Sequence, residues 1–206
     1  MNKQIGIAAL GLAIVAQGAF AQGSDTGNWL VRGRVLNLQS DNGGSTNPDL
    51  KLSVNDKTFP EVDISYFYTP NFAVELVLTY PQKHDIRSDG TAVGSLKHLP
   101  PTLLAQYHFT GLGGFRPYVG AGINYTMFSS VKFDPAVEAA LHPSIKKSSV
   151  GAALQAGVDF PVGSGWVINL DVKKVQIKTD VKSSGTKIGD FKVDPTLLSI
   201  GAGLRF

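Results

Sequence analysis

The sequence predicts an all-β membrane protein: an eight-stranded antiparallel up-and-down transmembrane β-barrel with short periplasmic turns and long extracellular loops. Three observations point to it. In the last eleven residues, Leu198, Ile200, Ala202, Leu204 and Phe206 fall at every second position, with Leu197, Ser199, Gly201, Gly203 and Arg205 between them. Period two is the period of a strand, and a greasy face opposite a mixed one fits lipid outside and a more polar interior. Segments of this kind recur along the chain, joined alternately by short turns and long loops. The third observation is the N-terminus. Lys3, an apolar run over 5–15 and the small-x-small site Ala19-Phe20-Ala21 predict a secretory signal peptide over 1–21, with the barrel in 22–206. No later apolar run reaches the roughly 18 residues that a membrane-spanning helix needs.

The strands follow in order. Segment 28–38 sets Trp29, Val31, Gly33 and Val35 against Arg32 and Arg34; segment 58–68 sets Val62, Ile64, Tyr66 and Tyr68 against Glu61, Asp63, Ser65 and Phe67. After the tight joint 69–71, segment 72–80 alternates Val74, Leu76, Leu78 and Tyr80 with Ala73, Glu75, Val77 and Thr79. Segment 102–109 sets Leu103, Ala105, Tyr107 and Phe109 against Leu104, Gln106 and His108, and the glycine-rich joint 110–115 leads to segment 116–128. Segment 149–160 sets Val150, Leu154 and Val158 against Gly151, Gln155 and Asp159, and ends at a joint over 161–165. The seventh strand starts at Trp166, with Ile168, Leu170 and Val172 opposite Asn169, Asp171 and Lys173. Its apolar parity passes to Val175 and Ile177, which reads as a bulge or as the strand rising out of lipid. The terminal strand is the eighth. Most segments match the roughly 9–11 residues of a tilted membrane-spanning strand.

The long connections at 39–57, 81–101, 129–148 and 180–192 read as extracellular loops. Within the third of them, 135–141 reads as a short helix with Asp134 as N-cap and Pro135 at its first position. Trp29, Tyr66, Tyr68, Phe72, Tyr107, Phe109, Phe160, Trp166 and Phe206 gather near the short turns, as an aromatic girdle at the periplasmic interface would. A soluble sandwich with one buried face per strand would alternate similarly. The leader, the one-sided belt and the final Phe206 weigh against it. Ending on an aromatic is common among bacterial outer-membrane barrels, and it implies the barrel assembly machinery as a partner, alongside membrane lipid and lipopolysaccharide.

Composition narrows the function. A net charge of +3 without a basic run or stacking-aromatic array argues against nucleic acid. The chain has no Cys, which excludes thiol catalysis and Cys-based metal sites. The four His are His84, His98, His108 and His142, and no Ser-His-acid set falls together by parity. No catalytic residue, metal site or cofactor is expected, and the loops lack the dense carboxylate pattern of a calcium loop.

Two stretches go beyond class. His98-Leu99-Pro100-Pro101-Thr102-Leu103-Leu104-Ala105-Gln106-Tyr107 and Phe115-Arg116-Pro117-Tyr118-Val119-Gly120-Ala121-Gly122-Ile123-Asn124-Tyr125 resemble signature segments of the OmpW family of Gram-negative outer-membrane proteins. Val74-Glu75-Leu76 and Gly157-Val158-Asp159 also fit. The resemblance implies an outer-membrane channel for passive uptake of small, mainly hydrophobic molecules, with sideways release into the membrane. It also implies a channel constriction at Val77 and Lys173, where the family has an apolar residue and an aromatic. A lysine there departs from the pattern and suggests a salt-bridged floor more tolerant of polar or anionic solutes.

Inward parity adds an interior polar plug of Arg32, Glu75, Gln106, Asp159, Asp171 and Arg205. Leu96, Leu99, Phe128, Phe133, Val137 and Leu141, in or beside long loops, are expected to form an apolar funnel above it. Pro100 and Pro101 cannot donate to a strand ladder, so they suggest a lateral window at the head of the fourth strand. A structural or adhesive barrel whose loops act as a receptor is the alternative. A conventional porin is disfavoured, because eight strands enclose a space that side chains nearly fill.

Overall fold

The computed structural model describes residues 27–206; the predicted signal peptide lies outside them. Among the described residues the strands are β1 (Trp29–Gln39), β2 (Gly43–Thr46), β3 (Leu52–Val54), β4 (Lys57–Phe67), β5 (Phe72–Leu78), β6 (Gln82–Ser88), β7 (Thr91–Leu99), β8 (Thr102–His108) and β9 (Arg116–Phe133). Helix α1 (Pro135–Leu141) precedes β10 (Pro143–Ile145), β11 (Ser148–Gly163), β12 (Trp166–Val175), β13 (Lys178–Ser183), β14 (Thr186–Lys192) and β15 (Thr196–Arg205).

Eight of these close a ring in the order β1, β4, β5, β8, β9, β11, β12, β15 and back to β1, every neighbour antiparallel. The seam between β1 and β15 runs from Leu30 opposite Arg205 to Gln39 opposite Thr196. Trp29 and Phe206 extend it, each donating its N–H to the other's carbonyl at 3.0 and 2.9 Å. Closure matters because hydrocarbon offers backbone groups no partner, so an open edge would be costly.

The wall sorts side chains by parity. Val150, Leu154 and Ile200 are 72%, 61% and 55% exposed on the outside, while Arg32, Glu75 and Asn169 are fully buried within. So much exposed aliphatic surface suits acyl chains rather than water. Trp29, Tyr66 and Tyr68 pack edge to face along the turn-side rim, and Tyr107 meets Phe109 in the same way.

The predicted long loops prove to be largely strand. The β6–β7 hairpin pairs with β3 on one side and the upper half of β9 on the other. A second sheet joins β10, β13, β14 and β2 above the membrane. A chain leaving the bilayer keeps its backbone satisfied by continuing the ladder. Asp89-Gly90 and Ser184-Gly185 turn these two hairpins, both residues of each pair having positive φ, the geometry of a tight two-residue hairpin turn.

Three further expectations need correction. No bulge follows Lys173: β12 stays in register with β11 through Val175 opposite Ala153, and Val175 and Ile177 point inward. The interior itself turns apolar at that height. The joint after β11 is shorter than 161–165, since the strand continues through Pro161 with a register shift and turns at Ser164-Gly165. Helix α1 starts with Pro135 in its first turn, but the Asp134 side chain makes no capping bond.

Candidate functional site

The interior has two storeys of opposite chemistry. In the lower one, adjacent inward positions on β1 place two guanidinium groups inside the ring. Arg32 holds Asp159 through Nε and Nη2 at 3.1 and 2.6 Å, and reaches Ser65 Oγ and Glu75 Oε2 through Nη1, both at 3.0 Å. Arg34 donates Nε to Glu61 at 3.0 Å and Nη1 to Asn169 at 3.0 Å, and Asp63 lies 2.5 Å from Nε. Lys173 Nζ bridges Glu61 and Asp171, each at 2.9 Å. Gln155 donates to Glu75 and Asp171, both at 2.8 Å, and accepts from Gln106 at 2.9 Å; the Tyr118 hydroxyl donates to Asp171 at 2.7 Å. Burying so much charge is tolerable because it is paired and mostly hydrogen-bonded, Arg34 Nη2 and the Asp63 oxygens having ion-pair neighbours but no hydrogen bond.

Interior glycines make room for this network. A Cβ on Gly157 would collide with the Tyr118 ring, and one on Gly203 or Gly201 would press on Arg32 or Arg34. The small residues of β11 and β15 thus serve the large ones of β1 and β9.

Arg32, Glu75, Gln106, Asp159 and Asp171 meet in one cluster. Arg205 lies near the periplasmic mouth, donating to the Gly27 carbonyl at 2.7 Å and standing over the Phe67 ring at 4.0 Å. It is the last residue of its strand, beyond the level of the plug. Arg34, Glu61, Asp63, Tyr118, Gln155 and Asn169 join the plug without having been predicted in it, although most share the parity that selects the others. The predicted constriction pair falls in two layers. Lys173 belongs to the ion network, whereas Val77 sits in the apolar cluster above it with Leu104, Ala153 and Val175. With both neighbours carboxylates, Lys173 presents no free cation to an anionic solute.

The upper storey is apolar. A cavity of about 130 Å³ lies inside the extracellular extension, lined by Leu52, Val54, Ile86, Leu96, His98, Phe128, Phe133, Val137, Leu141, Ile177, Phe191 and Val193 among others. Of the predicted funnel residues, Leu99 alone does not line it. Leu96 and His98 take the inward positions of β7, so Leu99 faces the other way. Helix α1 supplies Val137 and Leu141.

Where the two hairpin strands β6 and β7 meet the cavity, the His84 and His98 rings stack with centroids 4.5 Å apart and planes 21° from parallel. Both are nearly inaccessible, and burial pushes His98 down to about 3 and His84 below the ordinary imidazole value, so both are neutral at pH 7. No cluster of three or more His, Asp or Glu suited to a metal occurs among the described residues.

One side of the wall is discontinuous. The β5–β8 ladder ends with Val77 opposite Thr102, and Pro100 and Pro101 stand just beyond that pair. Their carbonyls are engaged towards β9, where Asn124 Nδ2 donates to both at 3.2 and 3.3 Å and the Tyr125 N–H donates to Pro101 at 3.0 Å.

A profile described as the OmpW family matches residues 25–206. The chain belongs to the OmpW family. Outer membrane protein W of Escherichia coli (strain K12) is 36% identical over 213 aligned positions, covering 99% of this chain and 100% of that protein. The dibenzothiophene metabolism operon protein PahQ of Pseudomonas aeruginosa is 28% identical over 170 positions, 79% of this chain and 78% of its own. The crystal structure of the outer membrane protein OprG from Pseudomonas aeruginosa matches with a TM-score of 0.78 at 29% identity, over 90% of this chain and 98% of that one. This OmpW-family chain is therefore an outer-membrane β-barrel, and its lipid-facing band and aromatic rim are those of a protein embedded in a bilayer.

Proposed function

We propose that this barrel takes up small, mainly hydrophobic molecules passively and without chemistry, collecting them in the upper cavity and releasing them sideways into the membrane. The observation that carries the reading is an apolar cavity above a paired ionic plug, with the apolar layer of Val77, Leu104, Ala153 and Val175 between them. A cavity of about 130 Å³ is near the roughly 150 Å³ at which an apolar protein cavity stays dry and accepts benzene. Each buried Å² of apolar solute is worth about 25 cal/mol, so the upper storey attracts what the lower storey repels. Passage straight down would require breaking buried ion pairs, at a cost of about 3–5 kcal/mol for each partner removed. A sideways exit avoids that cost, and the unladdered wall beyond Val77 and Thr102 supports it. PahQ is named for the metabolism of dibenzothiophene, an apolar fused-ring compound, which agrees with solutes of this class.

The direct test is entry of an apolar probe into intact cells with and without the protein, its folding verified by heat-modifiable gel mobility. Faster entry with the protein is expected; equal rates would end the proposal. The exit is tested by replacing Pro100 and Pro101 together with Thr, which restores two backbone donors. Apolar uptake is expected to slow several-fold in the folded double variant, and an unchanged rate would remove the lateral route.

A further inference from the structure

The cavity is apolar on nearly every side, yet His98 in its wall and two residues beside His98 carry buried polar atoms with no hydrogen-bond partner: His98 Nε2, His84 Nε2 and Gln82 Oε1. His98 lines the cavity, Gln82 stands opposite it in the β6–β7 ladder, and His84 stacks on its ring. Each unmet buried group costs about 1–3 kcal/mol, so their gathering in one place is unlike the rest of this storey.

The chemistry of two of these atoms can be assigned. His84 Nδ1 lies 2.9 Å from the Asn55 carbonyl oxygen, which can only accept. Nδ1 therefore carries the proton of the neutral ring, and Nε2 is left with a bare lone pair. Gln82 donates its amide nitrogen to the Tyr80 carbonyl at 3.0 Å, which fixes Oε1 as the free end and as a second acceptor. A group that satisfies His84 Nε2 or Gln82 Oε1 must bring a hydrogen. A carboxylate brings none, and an ammonium would meet the positive charge of Lys57, which acts on both rings, while Asp56 and Asp85 act on His84 alone.

We infer that the cavity selects amphipathic solutes, holding an aliphatic or aromatic body against its apolar wall and an uncharged hydroxyl head at His98, His84 and Gln82. This inference rests on the uptake reading above and names the substrate class of the same cavity. An alkanol is preferred over the alkane of equal length, because its one O–H can be donated to one of these acceptors, which are otherwise desolvated without return.

The test uses the full-length barrel in lipid nanodiscs and in intact cells, with 1-octanol, n-octane and octanoate as probes. In ¹⁵N spectra of the imidazole nitrogens, octanol is expected to shift Nε2 of His84 and His98, whereas octane is not. In cells, the octanol-to-octane uptake ratio is expected to fall about tenfold in His98→Leu, the effect of one hydrogen bond worth about 1.4 kcal/mol. His84→Phe keeps the stacked ring and removes the acceptor, so it provides a second variant should His98→Leu fold poorly. An unchanged ratio in the folded variants, or equal shifts from octane and octanol, would overturn the head-group site while leaving hydrophobic uptake standing. A preference for octanoate would overturn it in favour of an anionic head. Failure of every probe to enter faster than in cells without the protein would overturn the uptake reading and this inference together.

Discussion

At the scale of single residues, the plug shows how little freedom a buried charge has. Lys173 touches Glu61 and Asp171 and is almost fully covered. Lys173→Met keeps much of the volume but leaves both carboxylates without that counter-charge, so the barrel is expected to lose about 3–5 kcal/mol. The measurement is the urea midpoint of refolded protein; a loss below about 1 kcal/mol would mean that water or rearrangement replaces the lysine. Gly157→Ala tests the same network sterically. Its Cβ overlaps the Tyr118 ring, and overpacking of this kind costs about 1–3 kcal/mol. Parity alone assigns Arg32, Glu75, Asp159 and Asp171 to the interior. It equally selects Arg34, Glu61 and Asp63, and it includes Arg205, because parity carries no information about height along the barrel axis.

At the scale of elements, the β6–β7 hairpin carries a pH dependence. His98 is pushed down to about 3 and His84 below its ordinary value by burial. When the hairpin opens, both rings recover an ordinary value near 6.5. The open form thus binds protons that the closed form refuses, at every pH from about 6.5 down to about 3. The stability that these rings lend is complete above pH 6.5 and is lost progressively as the pH falls through that window. Amide protection factors in β6 and β7 are expected to drop between pH 7 and pH 4.5, while those in β11 and β12 hold. His84→Phe combined with His98→Phe should flatten the difference. The hairpins are also the least legible elements. Asp89-Gly90 and Ser184-Gly185, each flanked by alternating residues, are their turn signals. Their flanks are polar enough to read as loop because one face of an extension above the membrane meets water.

At the scale of the whole molecule, the defining feature is a ring whose outer surface is solvated by lipid. Leu154→Arg, on a position 61% exposed to the bilayer, is expected to cost about 2–4 kcal/mol if it sits near the midplane. The same substitution on a wall facing water would be nearly neutral, so the change in the midpoint of refolding into lipid vesicles reads the environment directly. Local alternation determined the strand count of the ring, the lipid face, the aromatic rim and the polar character of the lower interior, since each follows from a two-residue period that a strand cannot evade. Only the tertiary structure decided which inward groups meet. Arg32 and Asp159 are 127 residues apart, and their encounter depends on ring closure and on the height at which each strand crosses the wall. The apolar cavity likewise gathers side chains of β3, β6, β7, β9, α1, β13 and β14, whereas the His84–His98 stack is set locally by the pairing of β6 with β7.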